Sequence, residues 1–305
     1  MRVIRDPTPG LLTGRMRGAI ESNSEIIVYL DDDVLLGPQW AESVIASFGD
    51  PSVALVGGPS EPEWEGTVPD WLHGFIRYRG TQVGECGWLS LLNLGDERQT
   101  IHPNYVWGLN FAIRRSVLEE CGGFHPDCMP DSLQHFQGDG ETGLTEKIAA
   151  RGWKAVYDPR MKVRHRIGPN RLTPVYFFRR AFYQGVCESY TKLRIQHGVE
   201  PPARSHGKRR WFGRIRDKTR RVRDRWAATF TSIRKECDFP SVKEGTDRAH
   251  RAGREFHRIA FDSCPAVRGW VLKPDYWDYK LPESRFDAAA VRRACLARHA
   301  VPTIW

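Results

Sequence analysis

Ile26-Ile27-Val28-Tyr29-Leu30 runs straight into Asp31-Asp32-Asp33. Five β-favouring residues without a break read as a buried strand of an α/β sheet. The triplet then falls at the strand's carboxyl end, where open α/β sheets bind their ligands. Carboxylates on so short a stretch are hard oxygen donors, suited to Mg²⁺ or Mn²⁺ held by one or two of them together with substrate phosphates. The plainer reading is an acidic strand-to-turn junction that water solvates.

Outward from this strand, helix and strand alternate. Residues 15–22 read as a helix, 38–48 as a helix after a Gly-Pro turn, and 53–56 as a strand that stops at Gly57-Gly58-Pro59. Further on, 107–114 reads as a strand, 142–151 as a helix ended by Gly152, and 155–157 and 162–165 as short strands. Alternation of this kind marks βα units on a sheet. Between them, residues 59–104 are turn-rich and hold Trp64, Trp71 and Trp88. So long a connection is expected to be a lid or a binding loop. No internal repeat is present.

A second group with chemical potential is Gly138-Asp139-Gly140-Glu141, just ahead of the 142–151 helix. Glycines on either side of a carboxylate leave room for a ligand, and a helix N-terminus favours the ionised form. An ionised carboxylate there can act as a general base. It can equally be a helix cap, since acidic residues are common in first turns.

Composition sets the frame. The chain has 305 residues, 40% of them hydrophobic, enough for one large domain or two smaller ones. No run reaches the ~18–20 apolar residues of a membrane span, and Met1-Arg2-Val3-Ile4-Arg5-Asp6 lacks the apolar stretch of a secretory signal. Seven scattered cysteines, an odd number, predict reduced thiols in a cytoplasmic protein. Cys121, His125 and Cys128 are spaced closely enough for zinc, but no fourth ligand lies nearby.

Charge is uneven. Residues 1–200 carry 21 Lys and Arg against 25 Asp and Glu, whereas 201–305 carry 25 against 12, which marks a boundary near Pro201-Pro202. Between Arg204 and Arg225 there are 11 basic and 2 acidic residues. Trp211, Ile215, Val222, Trp226, Phe230 and Ile233 recur there at helical spacing, predicting an amphipathic helix with a basic face. Such a helix either lies on an anionic membrane surface or packs on the first domain with its basic face in water. A nucleic-acid partner is not expected, because it would leave both acidic groups without a purpose.

Seven segments, taken in order, resemble the family 2 glycosyltransferases of GT-A fold. They are Gly10-Leu11-Leu12-Thr13-Gly14-Arg15-Met16-Arg17-Gly18, Tyr29-Leu30-Asp31-Asp32-Asp33, Gly108-Leu109-Asn110-Phe111-Ala112-Ile113-Arg114-Arg115, Gly122-Gly123-Phe124, Gly138-Asp139-Gly140-Glu141-Thr142-Gly143-Leu144, Arg151-Gly152-Trp153 and Val163-Arg164-His165. The similarity runs from residue 3 to about 195, and the order and spacing are more specific than any single segment. It implies an α/β fold with a mixed sheet flanked by helices over 1–200, followed by a basic, mainly helical region over 201–305.

The resemblance also implies roles. The family's Asp-rich strand end holds a divalent metal on the diphosphate of a nucleotide sugar. This puts Asp33 on the metal, Asp31 on the ribose side or in the metal shell, and Asp32 on the donor side. His165 matches the late His that completes the metal site in some members. Glu141 falls on the base position, with Asp139 as the runner-up. The family's acidic pair is contiguous, whereas Gly140 stands between the two acids here. Arg15 matches an Arg near the diphosphate, although Met16 replaces the usual Asn after it. Asn110 matches an acceptor-side Asn, and Trp107 is placed to stack on a sugar.

At the front, Val3-Ile4 reads as the tail of the family's second strand. Roughly 50 residues of the nucleotide half would then be missing, judged from the ~30-plus residues of a βαβ unit and its leading turns. The sequence thus predicts an inverting, metal-dependent glycosyltransferase in polysaccharide or glycoconjugate synthesis. It would take a nucleotide-sugar donor and a carbohydrate or lipid-linked acceptor, in the cytoplasm or at the inner face of the membrane. The alternative is a catalytically inert fragment or scaffold of the same fold.

Overall fold

The structure is a computed structural model and describes residues 2–200 and 238–302. The predicted basic amphipathic helix around Arg204–Ile233 lies outside the described residues. The expected mixed α/β architecture is present, as two mixed sheets flanked by helices.

The first sheet has five strands: β1 (Ile26–Leu30), β9 (Asn110–Arg114), β3 (Val53–Gly57), β10 (Lys154–Tyr157) and β8 (Gln99–Ile101), in that spatial order. Strand β1 sorts its side chains by the two-residue period of a pleat. Ile27 and Tyr29 join a core with Leu12, Met16, Phe111 and Ile113. Ile26 and Val28 face the opposite core with Trp40, Val44, Val56 and Ala112. Central β3 is buried at every position, so each of its branched side chains contributes about 1.5–3 kcal/mol by leaving water. Helices α1 (Leu11–Glu21), α3 (Arg115–Glu120) and α4 (Glu141–Ala150) cover the first face, and α2 (Trp40–Ser47) covers the second.

The second sheet runs β2 (Val34–Leu36), β11 (Val163–Ile167), β4 (Ser60–Trp64), β7 (Leu91–Leu92), β6 (Gln82–Cys86) and β5 (Arg77–Arg79). The chain passes from the first sheet to the second three times, from β1 to β2, from β3 to β4 and from β10 to β11. Parallel pairing of β3 with β10 carries over into parallel pairing of β4 with β11. At the β3–β4 crossing a side chain at Gly58 would stand 2.2 Å from the Met161 carbonyl oxygen. Only glycine lets the two crossings lie this close. The β1–β2 crossing is Asp31-Asp32-Asp33, so the acidic triplet sits on the seam between the sheets.

The stretch 59–104 departs from its reading as one lid or loop: it contains β4 to β8. Its strands are short and hold Pro, Gly and acidic residues, which hid their period. Trp71 and Trp88 meet Phe177 edge-on or tilted, at 4.9 and 5.8 Å between ring centroids, inside an aromatic core. Helix boundaries also move: α1 begins at Leu11 and α2 at Trp40.

Helix α5 (Pro174–Gln196) covers the second sheet and runs beside α6 (Phe239–Ser263). Gly185 and Gly253 let the two backbones touch, since a Cβ at either would fall within 2.1 Å of a carbonyl oxygen on the other helix. Helices α7 (Pro265–Val271) and α8 (Ala288–Arg298) complete the layer, and α6 to α8 contribute to both cores of the preceding residues. Among the described residues no helix is long and apolar enough to cross a membrane.

Candidate active site

Pairing of Val34 with His165 across β2 and β11 brings His165 beside the end of the triplet. His165 Nδ1 donates to the Leu89 carbonyl (3.0 Å), which leaves Nε2 as a lone pair 3.5 Å from Asp33 Oδ2. Burial, with Arg171 alongside, pushes the imidazole below its ordinary pKa against the pull of Asp33, so it is neutral. Arg171 donates to Asp33 Oδ2 and to His165 Nε2, both at 2.6 Å. Asp33 Oδ1 is buried and has no partner. Asp31 is half-buried; burial raises its pKa, Arg15 opposes this, and the carboxylates of Asp33, Glu141 and Asp127 add to the rise. Asp32 is exposed.

These groups fit a divalent cation. An orphaned carboxylate oxygen, an imidazole lone pair and a carboxyl raised by burial, with neighbouring negative charge adding to the rise, would all gain from a cation. Among the described residues no three acidic, His or Cys side chains already form a metal cage. An ion held here would need ligands from outside the chain, such as substrate phosphates.

Arg15 of α1 stands on the other side of Asp31. Its guanidinium is 6% exposed, lies over the Phe124 ring at 5.0 Å, and meets Glu141 Oε2 at 3.1 Å and Asp127 Oδ2 at 3.9 Å. The Gly108 N–H donates to Glu141 Oε1 (3.4 Å), and a Cβ at Gly108 would collide with Arg15 Nη2 at 1.9 Å. Burial pushes the Glu141 carboxyl up, but Arg15 and the Gly108 N–H bring it below its ordinary pKa. Asp127 moves the other way, raised by burial and by the negative charge of Glu141. Asp127 Oδ1 is fixed by the Cys128 N–H (2.8 Å) and by Gln137 Nε2 (2.9 Å).

Asp139 faces away from this group. Its Oδ1 meets His125 Nδ1 at 2.6 Å and its Oδ2 accepts from Thr191 Oγ1 at 2.6 Å. His125 Nε2 in turn accepts from Lys147 Nζ (2.9 Å), Lys147 pairs with Glu200 (3.2 Å), and Glu200 pairs with Arg194 (2.7 Å). Gly140 makes the division. At φ +59° it turns the chain between the two acids, and a Cβ there would stand 2.6 Å from Asp127 Oδ2. The same network engages both nitrogens of His125, so Cys121, His125 and Cys128 make no zinc site.

Asn110 is buried, with Oδ1 accepting from Trp40 Nε1 (3.0 Å) and Nδ2 donating to the Met161 carbonyl (2.7 Å). Trp107 is 9% exposed and donates to the Asn104 carbonyl (3.0 Å). The structure thus gathers Arg15, Asp31, Asp33, His165 and Glu141 along the seam, and commits Asp139 and the Asn110 amide to internal bonds. Sequence reasoning missed Asp127 and Arg171. Asp127 lies outside any regular element and Arg171 in a single short 3-10 turn, where no periodicity or spacing marks them.

Residues 1–122 match the family described as Glycosyl transferase family 2, a span that takes in Arg15, the triplet and Asn110 and ends before Glu141 and His165. A glucosyl-dolichyl phosphate glucuronosyltransferase of Haloferax volcanii is 22% identical over 192 residues, covering 62% of this chain and 58% of that protein. A pre-mycofactocin glycosyltransferase of Mycobacterium tuberculosis is 26% identical over 204 residues, 65% of this chain and 38% of that protein. The chain therefore spans between 38% and 58% of the length of these relatives. A solved structure of GalNAc-T7 with UDP, GalNAc and Mn²⁺ aligns at 16% identity and a TM-score of 0.34, over 62% of this chain and 41% of that one.

Proposed function

We propose that this chain, whose residues 1–122 carry the match to glycosyl transferase family 2, transfers a sugar from a nucleotide-sugar donor to an acceptor hydroxyl with inversion. One observation carries the reading. Asp33 lies 3.5 Å from His165 across the seam between the sheets, while Arg15 pairs with Glu141 at 3.1 Å and lies in the field of Asp31.

Asp31 and Asp33, with His165, would hold Mg²⁺ or Mn²⁺, which when bound supplies positive charge to a diphosphate leaving group. Arg15 adds a buried cation on the donor side and keeps Glu141 ionised. Glu141 then takes the proton from the acceptor hydroxyl as its oxygen attacks. Burial and the charge of Glu141 raise the pKa of Asp127, which makes its anion less favourable beside Glu141. Asp139 positions the α4 N-terminus through His125 and Thr191. Asn110 and Trp107 shape the acceptor side through their bonds to Trp40, Met161 and Asn104.

The relative named for a dolichyl phosphate-linked sugar supports a lipid-linked acceptor, with glycoconjugate or polysaccharide synthesis as the setting. Work at the inner face of a membrane, without a nucleic-acid partner, accords with such an acceptor. The test is a panel of nucleotide sugars incubated with the chain and Mn²⁺, with release of nucleoside diphosphate as the readout. Release with one donor that is lost in Asp33→Asn supports the reading. No release with any donor from folded protein favours the inert scaffold.

A further inference from the structure

The turn after β11 already places a cation among the groups suited to a metal. Arg171 lies in the short 3-10 turn Pro169–Leu172 between β11 and α5. Its planar fork spans Asp33 Oδ2 and His165 Nε2 with two bonds of 2.6 Å. These are atoms that the metal reading also requires. We propose that Arg171 is a placeholder for the divalent cation: its guanidinium closes the Asp33–His165 pair in the metal-free chain and must withdraw before a metal can bind. The proposal rests on the reading of Asp33 and His165 as metal ligands.

Three features argue for it. The His165 lone pair is single, because Nδ1 is committed to the Leu89 carbonyl, so Nε2 cannot serve Arg171 and a metal together. Arg171 leaves Asp33 Oδ1 buried and unpartnered, so the guanidinium covers the ligand set only in part. Its side chain also reaches solvent. It is 29% exposed, while Leu172 is buried beside it and the Thr173 hydroxyl separately caps α5 by accepting from the Tyr176 N–H. An anionic donor would offer the displaced guanidinium a new counter-charge. Metal alone would then bind weakly, and metal with donor more tightly.

The test uses the full chain with Mn²⁺ alone, titrated by calorimetry and by the electron paramagnetic resonance signal of free Mn²⁺. If about nine-tenths of the sites are held by Arg171, then Arg171→Gln should bind Mn²⁺ roughly tenfold more tightly than the native chain. Arg171→Lys, which keeps the charge but reaches one partner at a time, should fall between. A larger Mn²⁺-induced rise in melting temperature for Arg171→Gln gives a second readout, and near-ultraviolet circular dichroism confirms folding of each variant. Equal or weaker Mn²⁺ binding in both folded variants overturns the placeholder and leaves the metal site standing. Absence of Mn²⁺ binding in every form, or binding unchanged by Asp33→Asn, overturns the metal reading and the placeholder with it.

Discussion

Gly140 separates two carboxylates with opposite surroundings. On one side Asp139, His125, Lys147, Glu200 and Arg194 form a closed set in which each charge meets its complement. Arg194 anchors that set to the end of α7 through the Val271 and Lys273 carbonyls, each at 2.6 Å. On the other side Glu141, Arg15, Asp127, Asp31 and Asp33 hold more negative than positive charge, leave an oxygen unpartnered and push the acidities of Glu141 and Asp127 in opposite directions. Paired buried charges rigidify a fold, and they do so here although Arg194 Nε is left without a partner. Groups whose environments split their acidities are typical of sites that move protons. Two residues apart in sequence, one acid is held in a paired network and the other is the one we propose for the chemistry.

The largest expected effect breaks or confirms this division. Glu141→Gln keeps the shape and the Gly108 contact, so transfer should fall by ~10²–10⁴-fold, while the melting temperature drops only by what the Arg15 ion pair contributes, Asp127 remaining beside that guanidinium. Steady-state assays with the donor found by the panel measure the first, and differential scanning fluorimetry the second. Asp139→Asn should do the reverse. It takes the carboxylate away from His125 and Thr191 in the interior, so unfolding free energy in urea should drop by about 1–3 kcal/mol, with transfer per folded molecule largely kept. Normal transfer in Glu141→Gln with loss in Asp139→Asn would exchange the two roles.

The buried interior sharpens the contrast through pH. Burial pushes His257 down to about 3 and His135 to about 4. Both are neutral in the fold yet bind protons below about 6.5 once the chain unfolds. A lowered folded-state pKa gives stability that is fully present above the unfolded value and is lost as pH falls. Between pH 6.5 and 4, His257 alone should cost about 1.4 kcal/mol per pH unit, with His135 acting in the same direction. Asp139, also lowered in the fold, extends the loss to more acidic pH. Urea melts across this range check the slope, and His257→Gln should flatten it by one proton.

The strand end and the start of the Glu141–Ala150 helix were legible because their signals are local. A β-favouring run ending in three acids shows both a strand and its end, and Glu141 opens a helix where the sequence places one. What escaped depends on partners far along the chain. Asp127 acquires meaning only from Arg15, more than a hundred residues earlier, and Arg171 only from Asp33 across the seam. The short strands β4 to β8 owe their pairing to neighbours and to a core shared with α5, not to a period of their own. The opposed directions of Asp139 and Glu141 follow from one positive φ at Gly140, which spacing hinted at without revealing.

The smallest expected effect lies within the open group itself. Asp127 is raised by burial and by Glu141, so its anion is less favourable in the fold than in the unfolded chain. For a carboxyl with a raised folded pKa the penalty is absent below the unfolded value, grows as pH climbs through the interval and is complete above the folded value. Asp127→Asn removes the charge but retains an acceptor for the Cys128 N–H and for Gln137 Nε2. At pH 8 it should therefore stabilise the chain by about 1 kcal/mol, with the gain fading toward pH 4. Glu141→Gln, which relieves the same repulsion from the other side but loses the Arg15 ion pair, should show no such gain. Urea melts of both variants at the two pH values decide the matter. A loss of stability in Asp127→Asn at pH 8 would mean that Arg15 holds Asp127 as an ion pair and that the open group is as closed as the network around Asp139.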